Sequence, residues 1–301
     1  MYRILSTDGM AKSAAQKLKA LGYEVVEEFY EPEVLAEKVK EFDALIVRSA
    51  TKVRIPIIDA AASAGRLKII IRGGVGVDNI DVDYAVSKGI AVANTPNASS
   101  ASVAELAIAH ILALSRFVAI ANVTMRNGQW EKKAYKGVEL TGKTLGVFGM
   151  GRIGRETAKR AQALGMKVIY TEKVPIEGVS YERVELDELL SRSDFISLHI
   201  PASKGQPPLV NAEFIAKMKD GSYIINTARG ALIDENALCD ALESGKLAGA
   251  GLDVFCEEPC KNERLLNNPK VSITPHIGGT TKEAQDRIGE EIVEIITNKL
   301  K

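Results

Sequence analysis

At 301 residues the chain is longer than one hydrophobic core ordinarily serves, so two domains of ordinary size are expected. Its 39 basic and 39 acidic side chains cancel and only 5% of residues are aromatic, which offers neither a cationic surface nor stacking platforms for nucleic acid. No apolar run approaches membrane-spanning length, the first residues read as a strand rather than a leader, and the three cysteines cannot all pair internally, so no membrane partner is expected and a reducing cytoplasm is.

From the first residue, short runs rich in Val and Ile alternate with helical patterns. The strand candidates are 4–6, 24–26, 44–47, 68–71 and 90–93, and such alternation builds a parallel sheet. Next comes a helix with a capping box from Ser102 to Glu105 and an apolar stripe at Val103, Leu106, Ala107, His110, Ile111 and Leu114, which is helical spacing over three turns. The alternation resumes with strand candidates 145–148, 167–170, 195–198, 223–225, 249–252 and 272–274. The expected fold is therefore α/β, two doubly wound parallel-sheet domains in series. A last helical pattern, 282–299, is expected to cross back, so that residues 1–97 with 283–301 form one flavodoxin-like domain and 98–282 the other.

The strongest local signal opens the second domain. Gly149, Met150, Gly151, Arg152, Ile153 and Gly154 follow a strand and begin a helix that reaches about residue 164 before Gly165 caps it, and Glu172 lies just past the next strand. This is the dinucleotide fingerprint in its full context. Gly149 permits a tight turn, Gly151 lets the backbone approach a pyrophosphate, Gly154 lets helix and strand pack closely, and the helix N-terminus faces the negative charge. Glu172 can accept hydrogen bonds from the adenosine ribose and repels a 2′-phosphate, which favours NAD over NADP; Lys173 softens that preference. The second domain is thus read as a Rossmann NAD-binding domain, and the first as the substrate-binding domain.

Ligands in open α/β sheets gather at the carboxyl ends of strands, so polar residues there are the candidates. In the first domain Arg48 follows one strand, and Gly73, Gly74 and Val75 follow the next; a fixed cation beside bare backbone N–H groups suits an anionic substrate. A nicotinamide enzyme also needs a group that exchanges a proton at neutral pH, for which histidine is best matched. Of the three histidines, His110 falls on the apolar stripe and reads as packed. His199 ends a strand beside the expected cofactor and precedes Pro201, where it would shape the loop. His276, after Pro275 and before Gly278 and Gly279, is the acid/base candidate. Arg229 and Glu258 sit on two other strand ends. An arginine can hold a carboxylate in two parallel hydrogen bonds and polarise a carbonyl, and a glutamate beside an imidazole orients it and stabilises its protonated form. Cys256 and Cys260 flank Glu258, but two thiols without further ligands make a poor metal site, so no metal is expected.

Taken together, the 149–154 loop and the 226–230, 253–259 and 275–279 turns resemble the D-isomer-specific 2-hydroxyacid dehydrogenases in order and spacing. Within that family the stretches 45–53, 76–81, 94–97 and 130–133 look most like the phosphoglycerate dehydrogenase branch. The resemblance implies that Arg229 binds the substrate carboxylate, His276 is the general acid/base and Glu258 its partner. It places cofactor contacts at Val75, Gly149, Gly151, Arg152, Ile153, Gly154, Glu172, His199, Ile200, Pro201, Thr227, Ala228, Asp253, His276, Gly278 and Gly279, with Asp253 holding the carboxamide. Substrate contacts would come from Arg48, Gly73, Gly74, Val75 and Arg229, and from Lys132 reaching a neighbouring subunit of a homodimer. Relatives often carry Arg at that last position, and Lys supplies the charge without the bidentate fork.

The activity so implied is NAD-dependent oxidation of D-3-phosphoglycerate to 3-phosphohydroxypyruvate, the first step of serine biosynthesis. Alternatives are a glyoxylate/hydroxypyruvate reductase or a D-lactate dehydrogenase and, in another class, an NADH-sensing corepressor-like binding protein. Long members of the branch continue into serine-binding regulatory domains, so feedback inhibition through such a domain is not expected of a chain ending where this one does.

Overall fold

Val- and Ile-rich runs become the interior strands of two parallel sheets, as strands covered by helices on both faces require. A computed structural model describes residues 1–202 and 205–301, which separate into two compact units, Met1–Ser99 with Gly279–Lys301, and Ser100–Gly278.

Unit 1 runs β1 (Arg3–Ser6), α1 (Lys12–Ala20), β2 (Glu24–Glu27), α2 (Pro32–Lys38), β3 (Ala44–Val47), α3 (Ile55–Ala64), β4 (Ile69–Arg72), α4 (Val82–Ser87) and β5 (Ala91–Asn94). The sheet order is β2-β1-β3-β4-β5, with every pair parallel. Leu45, Ile46, Ile70 and Ile71 are fully buried at its centre. One face carries α2, α3 and α4; the other carries α1 and the last helix of the chain, whose Gly289 admits Ala14, since a Cβ there would lie 2.7 Å from the Ala14 Cβ. Register sets Val47 beside Arg72, so Arg48 and Arg72 emerge at the carboxyl ends of neighbouring strands.

Unit 2 begins with α5 (Ser100–Ser115) and α6 (Val118–Arg126), followed by β6 (Thr144–Phe148), α7 (Arg152–Ala163), β7 (Lys167–Thr171), β8 (Glu182–Arg183), α8 (Leu186–Arg192), β9 (Phe195–Leu198), α9 (Ala212–Lys217), β10 (Ser222–Asn226), α10 (Glu235–Ser244), β11 (Leu247–Leu252), α11 (Glu263–Leu266) and β12 (Val271–Ile273); α12 (Lys282–Lys299) then closes unit 1. The seven strands lie in the order β12-β11-β10-β9-β6-β7-β8, all parallel. The winding reverses between β6 and β9, the position where such sheets leave a crevice beyond the strand ends. No single described helix is long and apolar enough to cross a membrane.

Two expectations are corrected. The capping box does not form: α5 starts at Ser100, two residues before Ser102, because burial of the helix face begins there. Ser102 is buried inside the first turn, and Glu105 reaches across to Arg160 of α7 at 2.9 Å. The two-residue edge strand β8 has no counterpart among the strand candidates, since both of its residues are charged and exposed and periodicity has nothing to register there.

Candidate active site

The glycine loop is shaped by close backbone approaches. Gly149 takes φ +97°, and a Cβ on it would lie 2.6 Å from the His199 carbonyl oxygen and 2.7 Å from Ile200 Cγ2. A Cβ on Gly154 would lie 2.1 Å from the Gly149 oxygen and 3.2 Å from Val147, so this residue sets how closely α7 meets β6. Gly151 faces open space, with nothing within 4 Å of a Cβ, and it caps α7 without a side-chain acceptor. The first N–H groups of α7, on Arg152 and Ile153, are therefore available to an anion. Glu172 is tied into the same loop, its Oε2 accepting from the Met150 N–H at 3.1 Å and its Oε1 from the Lys173 N–H at 3.1 Å. Arg183 of β8 donates to the Glu172 carbonyl at 2.8 Å. A carboxylate has about four acceptor sites, so Glu172 keeps capacity for a ribose.

On the neighbouring strand end, the His199 N–H donates to the Phe148 oxygen at 2.8 Å and Nε2 meets Ser197 Oγ at 2.9 Å. Desolvation pushes its pKa down to about 4, so the ring is neutral at pH 7 and unsuited to carrying charge. Pro201 follows, exposed.

Three strand ends bring Arg229, Glu258 and His276 together. After β10, Asn226 staples its own turn: its Oδ1 accepts from the Ala228 N–H at 3.0 Å and its Nδ2 donates to the Arg229 oxygen at 2.8 Å. Arg229 is half-buried and donates from Nη1 to the Ala228 oxygen at 2.6 Å. Gly230 lies against the backbone of the next turn, where a Cβ would sit 1.9 Å from the Phe255 carbonyl carbon. That contact fixes the spacing between the Arg229 turn and the segment carrying Glu258.

Glu258 Oε2 meets His276 Nδ1 at 2.7 Å, and its Oε1 accepts from the Phe255 N–H at 3.2 Å. Partial burial works against ionisation of Glu258, but the hydrogen bond and charge of His276, the Phe255 N–H and the nearby Arg229 prevail and hold its carboxyl below the usual range. An ionised carboxylate only accepts, so Nδ1 carries a hydrogen, and in the neutral ring Nε2 is the acceptor.

His276 itself adopts φ +53°, the left-handed region that costs a non-glycine residue on the order of 1 kcal/mol or more. Asp253 holds it there. The Asp253 oxygen accepts from the His276 N–H at 2.8 Å, Oδ1 from the Ile277 N–H at 2.8 Å and Oδ2 from the Gly278 N–H at 2.8 Å. Oδ2 keeps a second lone pair, compatible with the carboxamide role considered for this residue. Gly278 is needed for the approach, since its Cβ would lie 3.0 Å from Asp253 Oδ2. Thr227, buried at the end of β10, has a hydroxyl without a hydrogen-bond partner among the described residues. Buried polar atoms normally have one, and a bound ligand would supply it.

In unit 1, Asp8 organises the Arg48 loop, its Oδ2 accepting from the Arg48 N–H at 2.6 Å and its Oδ1 from Thr51 Oγ1 at 2.6 Å, while Asn79 Nδ2 donates to the Arg48 and Thr51 oxygens, each at 2.7 Å. Gly73 N donates to the Val47 oxygen at 2.9 Å, and Asn94 Nδ2 to the Val75 oxygen at 2.5 Å. A Cβ on Gly74 would fall 1.3 Å from Arg72 Nη1, so glycine there makes room for the guanidinium. Gly279 belongs to this unit, and its oxygen accepts from Gln285 at 2.8 Å.

Asp8, Arg72, Asn79, Asn226 and Gly230 were not among the sequence candidates. Asp8, Arg72 and Asn226 are polar residues at or just past strand ends and could have been found by that placement. Asn79 and Gly230 carry no local signal. Lys132 is exposed on the segment after α6. Cys256 is exposed overall, but partial burial of its sulfur beside Glu235 pushes the thiol up to about 11, which keeps it protonated and unreactive near neutral pH.

The family model for the D-isomer specific 2-hydroxyacid dehydrogenase NAD binding domain matches residues 108–278. The chain belongs to that family. The dehydrogenase is 51% identical, over 99% of its own length and 98% of the other, to a hydroxypyruvate reductase of Thermotoga maritima. It is 45% identical over its whole length to a D-3-phosphoglycerate dehydrogenase of Methanocaldococcus jannaschii, of which it spans 58%. Among solved structures, the TT0316 protein from Thermus thermophilus superposes with a TM-score of 0.91 at 37% identity, covering 99% of this chain and 96% of that one. The dehydrogenase is thus an NAD-dependent oxidoreductase, and its open Gly151, α7 N-terminus without a side-chain cap and Thr227 hydroxyl, which has no partner among the described residues, fit the dinucleotide that the family binds.

Proposed function

We propose that this dehydrogenase interconverts D-3-phosphoglycerate and 3-phosphohydroxypyruvate, with His276 as the general acid/base. The observation that carries the acid/base reading is the bond of 2.7 Å from His276 Nδ1 to the ionised Glu258, which leaves Nε2 to take the proton of a substrate hydroxyl. Arg229 binds the substrate carboxylate and polarises the adjacent C–O bond. Residues around Gly151, Glu172 and Thr227 hold NAD, and Asp253 its carboxamide; the nicotinamide supplies the hydride acceptor. As the proton moves to Nε2, Glu258 stabilises the imidazolium, and Arg229 keeps the carboxylate from turning.

The phosphate preference is supported by Arg48 and Arg72, which leave neighbouring strands β3 and β4. Two guanidiniums suit a substrate with an anionic end beyond its carboxylate; Lys132 would add charge from a second subunit. The likeness to the Thermotoga maritima enzyme favours a second reading, reduction of hydroxypyruvate by the same machinery. Comparing kcat/KM for 3-phosphoglycerate, D-glycerate and D-lactate with NAD and with NADP, and for 3-phosphohydroxypyruvate, hydroxypyruvate and glyoxylate with the reduced cofactors, separates the two. Phosphorylated substrates are expected to win by tenfold or more. A hydroxypyruvate preference transfers the assignment to the second reading, and no turnover on any of them leaves the cofactor-sensing protein.

A homodimer formed through unit 2 is part of the proposal. No residue of α6 is buried, and Val118, Val123, Met125 and Trp130 present an apolar surface of the kind that marks association. Sedimentation equilibrium should give twice the chain mass, and a monomer at micromolar concentration refutes it. Three free thiols, Cys239, Cys256 and Cys260, suit a reducing compartment such as the cytoplasm.

A further inference from the structure

We propose that His110, on α5, is a positioning residue for the catalytic loop: a one-way chain of hydrogen bonds from Ser272 through His110 and Thr274 to Asp253 holds the backbone that carries His276. The proposal rests on the reading of His276 as the acid/base, but the chain of bonds is a structural claim that can be checked without turnover.

The helix reaches the strand ends because the floor beneath it has no side chains. A Cβ on Gly251 would lie 2.7 Å from His110 Cβ, and one on Gly249 would lie 3.1 Å from Leu114 Cδ2. His110, only 2% exposed, therefore sits low against β11 and spans to the end of β12. Its Nδ1 is 2.9 Å from Ser272 Oγ, and its Nε2 is 3.1 Å from Thr274 Oγ1. Thr274 Oγ1 in turn donates to Asp253 Oδ1 at 2.6 Å.

Counting hydrogens fixes the direction. A threonine hydroxyl has one hydrogen, and the carboxylate takes it, so Thr274 Oγ1 must accept from an N–H on His110 Nε2. Burial disfavours a charged ring, and the charge of Asp253 opposes that only in part, so the pKa of His110 is lowered and the ring is neutral. Nδ1 is then an acceptor, and Ser272 donates to it. Every link is satisfied in this one arrangement, and the last acceptor, Asp253, is 1% exposed.

The consequence falls on His276. Its own N–H ends on the Asp253 backbone oxygen and those of Ile277 and Gly278 on the Asp253 carboxylate, so the carboxylate that Thr274 orients anchors the residues just after the left-handed turn at His276. Cutting the chain at His110 leaves Thr274 Oγ1 without its donor and the buried Ser272 hydroxyl without its acceptor, and it loosens the hold on Asp253, which tilts the imidazole away from the substrate. A misplacement of about 1 Å can lower turnover by roughly a hundredfold.

The experiment uses the whole purified protein and four variants: His110→Gln, His110→Phe, Thr274→Val and the His110→Phe/Thr274→Val double. Glutamine places an N–H where Nε2–H was, whereas phenylalanine only fills the space. His110→Gln should keep kcat within about threefold, and His110→Phe should lose roughly tenfold or more in kcat, with KM for NAD rising by less than kcat falls. The double variant should be no slower than the slower single, because both cut one path.

Nitrogen-15 spectra of histidine-labelled protein should show the ring whose signals vanish in His110→Phe protonated at Nε2 only, and amide exchange at Ile277 and Gly278 should accelerate in that variant. Wild-type kcat and unchanged amide exchange in His110→Phe overturn the proposal, as do losses that add in the double variant or a His110 ring protonated at Nδ1. If His276→Gln keeps its turnover, the acid/base reading fails instead, and the nitrogen spectrum and amide exchange still decide for or against the chain of bonds.

Discussion

The glycine loop at 149–154 and the histidine loop at 274–278 both lie at strand ends of one unit, yet they are built by opposite means. The first is defined by missing atoms: Gly149 and Gly154 exist so that backbone can touch backbone, and a methyl group on either would strike a carbonyl oxygen. The second is defined by added ones. His276 holds an unfavourable backbone conformation because Asp253 and Glu258, 23 and 18 residues away, bind its backbone and ring, and because His110, 164 residues before Thr274, completes the chain behind them. A loop of the first kind breaks when a methyl is inserted, a loop of the second when a polar group is removed.

The largest expected effect tests the histidine loop at its functional end. His276→Gln retains the size of the side chain and loses the Nε2 proposed as the proton acceptor, so kcat should fall by about 10² to 10⁴. The NADH dissociation constant, followed by fluorescence titration, should change less than threefold, since the glycine loop is untouched. Turnover within tenfold of wild type would remove His276 from the role of acid/base.

The glycine loop offers an internal control. Gly154→Ala must displace the Gly149 carbonyl, an overpacking that costs roughly 1–3 kcal/mol, and should lower Tm by several degrees. Gly151→Ala puts its methyl into open space, so Tm should hold within a degree while NADH binds more weakly if that space takes the pyrophosphate, as proposed. Equal losses of Tm in the two variants would show that the two glycines are not doing different work.

The same contrast explains what was legible in the sequence. The glycine loop could be read directly, because its requirements are local: a strand, three glycines at fixed spacing, a helix and an acidic residue past the next strand. So could the parallel sheets, whose buried strands leave unbroken runs such as Ala44–Val47 and Phe195–Leu198. His276, Glu258 and Arg229 stood out as strand-end residues, although nothing local says that Glu258 would reach His276 Nδ1. His110 read as core packing, which its burial agrees with, but its two hydrogen bonds depend on strand β12, more than 150 residues later. Gly230 is illegible for the same reason, since the peptide it makes room for, at Phe255, is brought there only by the pairing of β10 with β11. The helix start at Ser100 was missed because Ser99, Ser100 and Ser102 can all cap, and packing rather than the cap chose among them.

The smallest expected effect is a response to acid. A histidine held neutral in the folded chain binds no proton, whereas the unfolded chain takes one up below about 6.5; the stability contributed by neutral His199 is therefore full above that pH and is lost as pH falls towards its folded value of about 4. At pH 5.5 the loss is roughly 1 kcal/mol. His199 lies against Gly149, so this penalty bears on the glycine loop. Glu258 acts in a lower window: its carboxyl is held below the ordinary 4.5, and its contribution, present above that value, goes only as pH falls through the folded one. The penalty at His199 therefore sets in before the Glu258 contact is lost, and His110, whose pKa burial also lowers, shares that upper window. Urea unfolding of wild type and His199→Gln at pH 7.5 and 5.5 measures the first step, with the variant expected to lose about 1 kcal/mol less than wild type between the two; equal losses would mean that His199 protonates in the folded chain as readily as in the unfolded one.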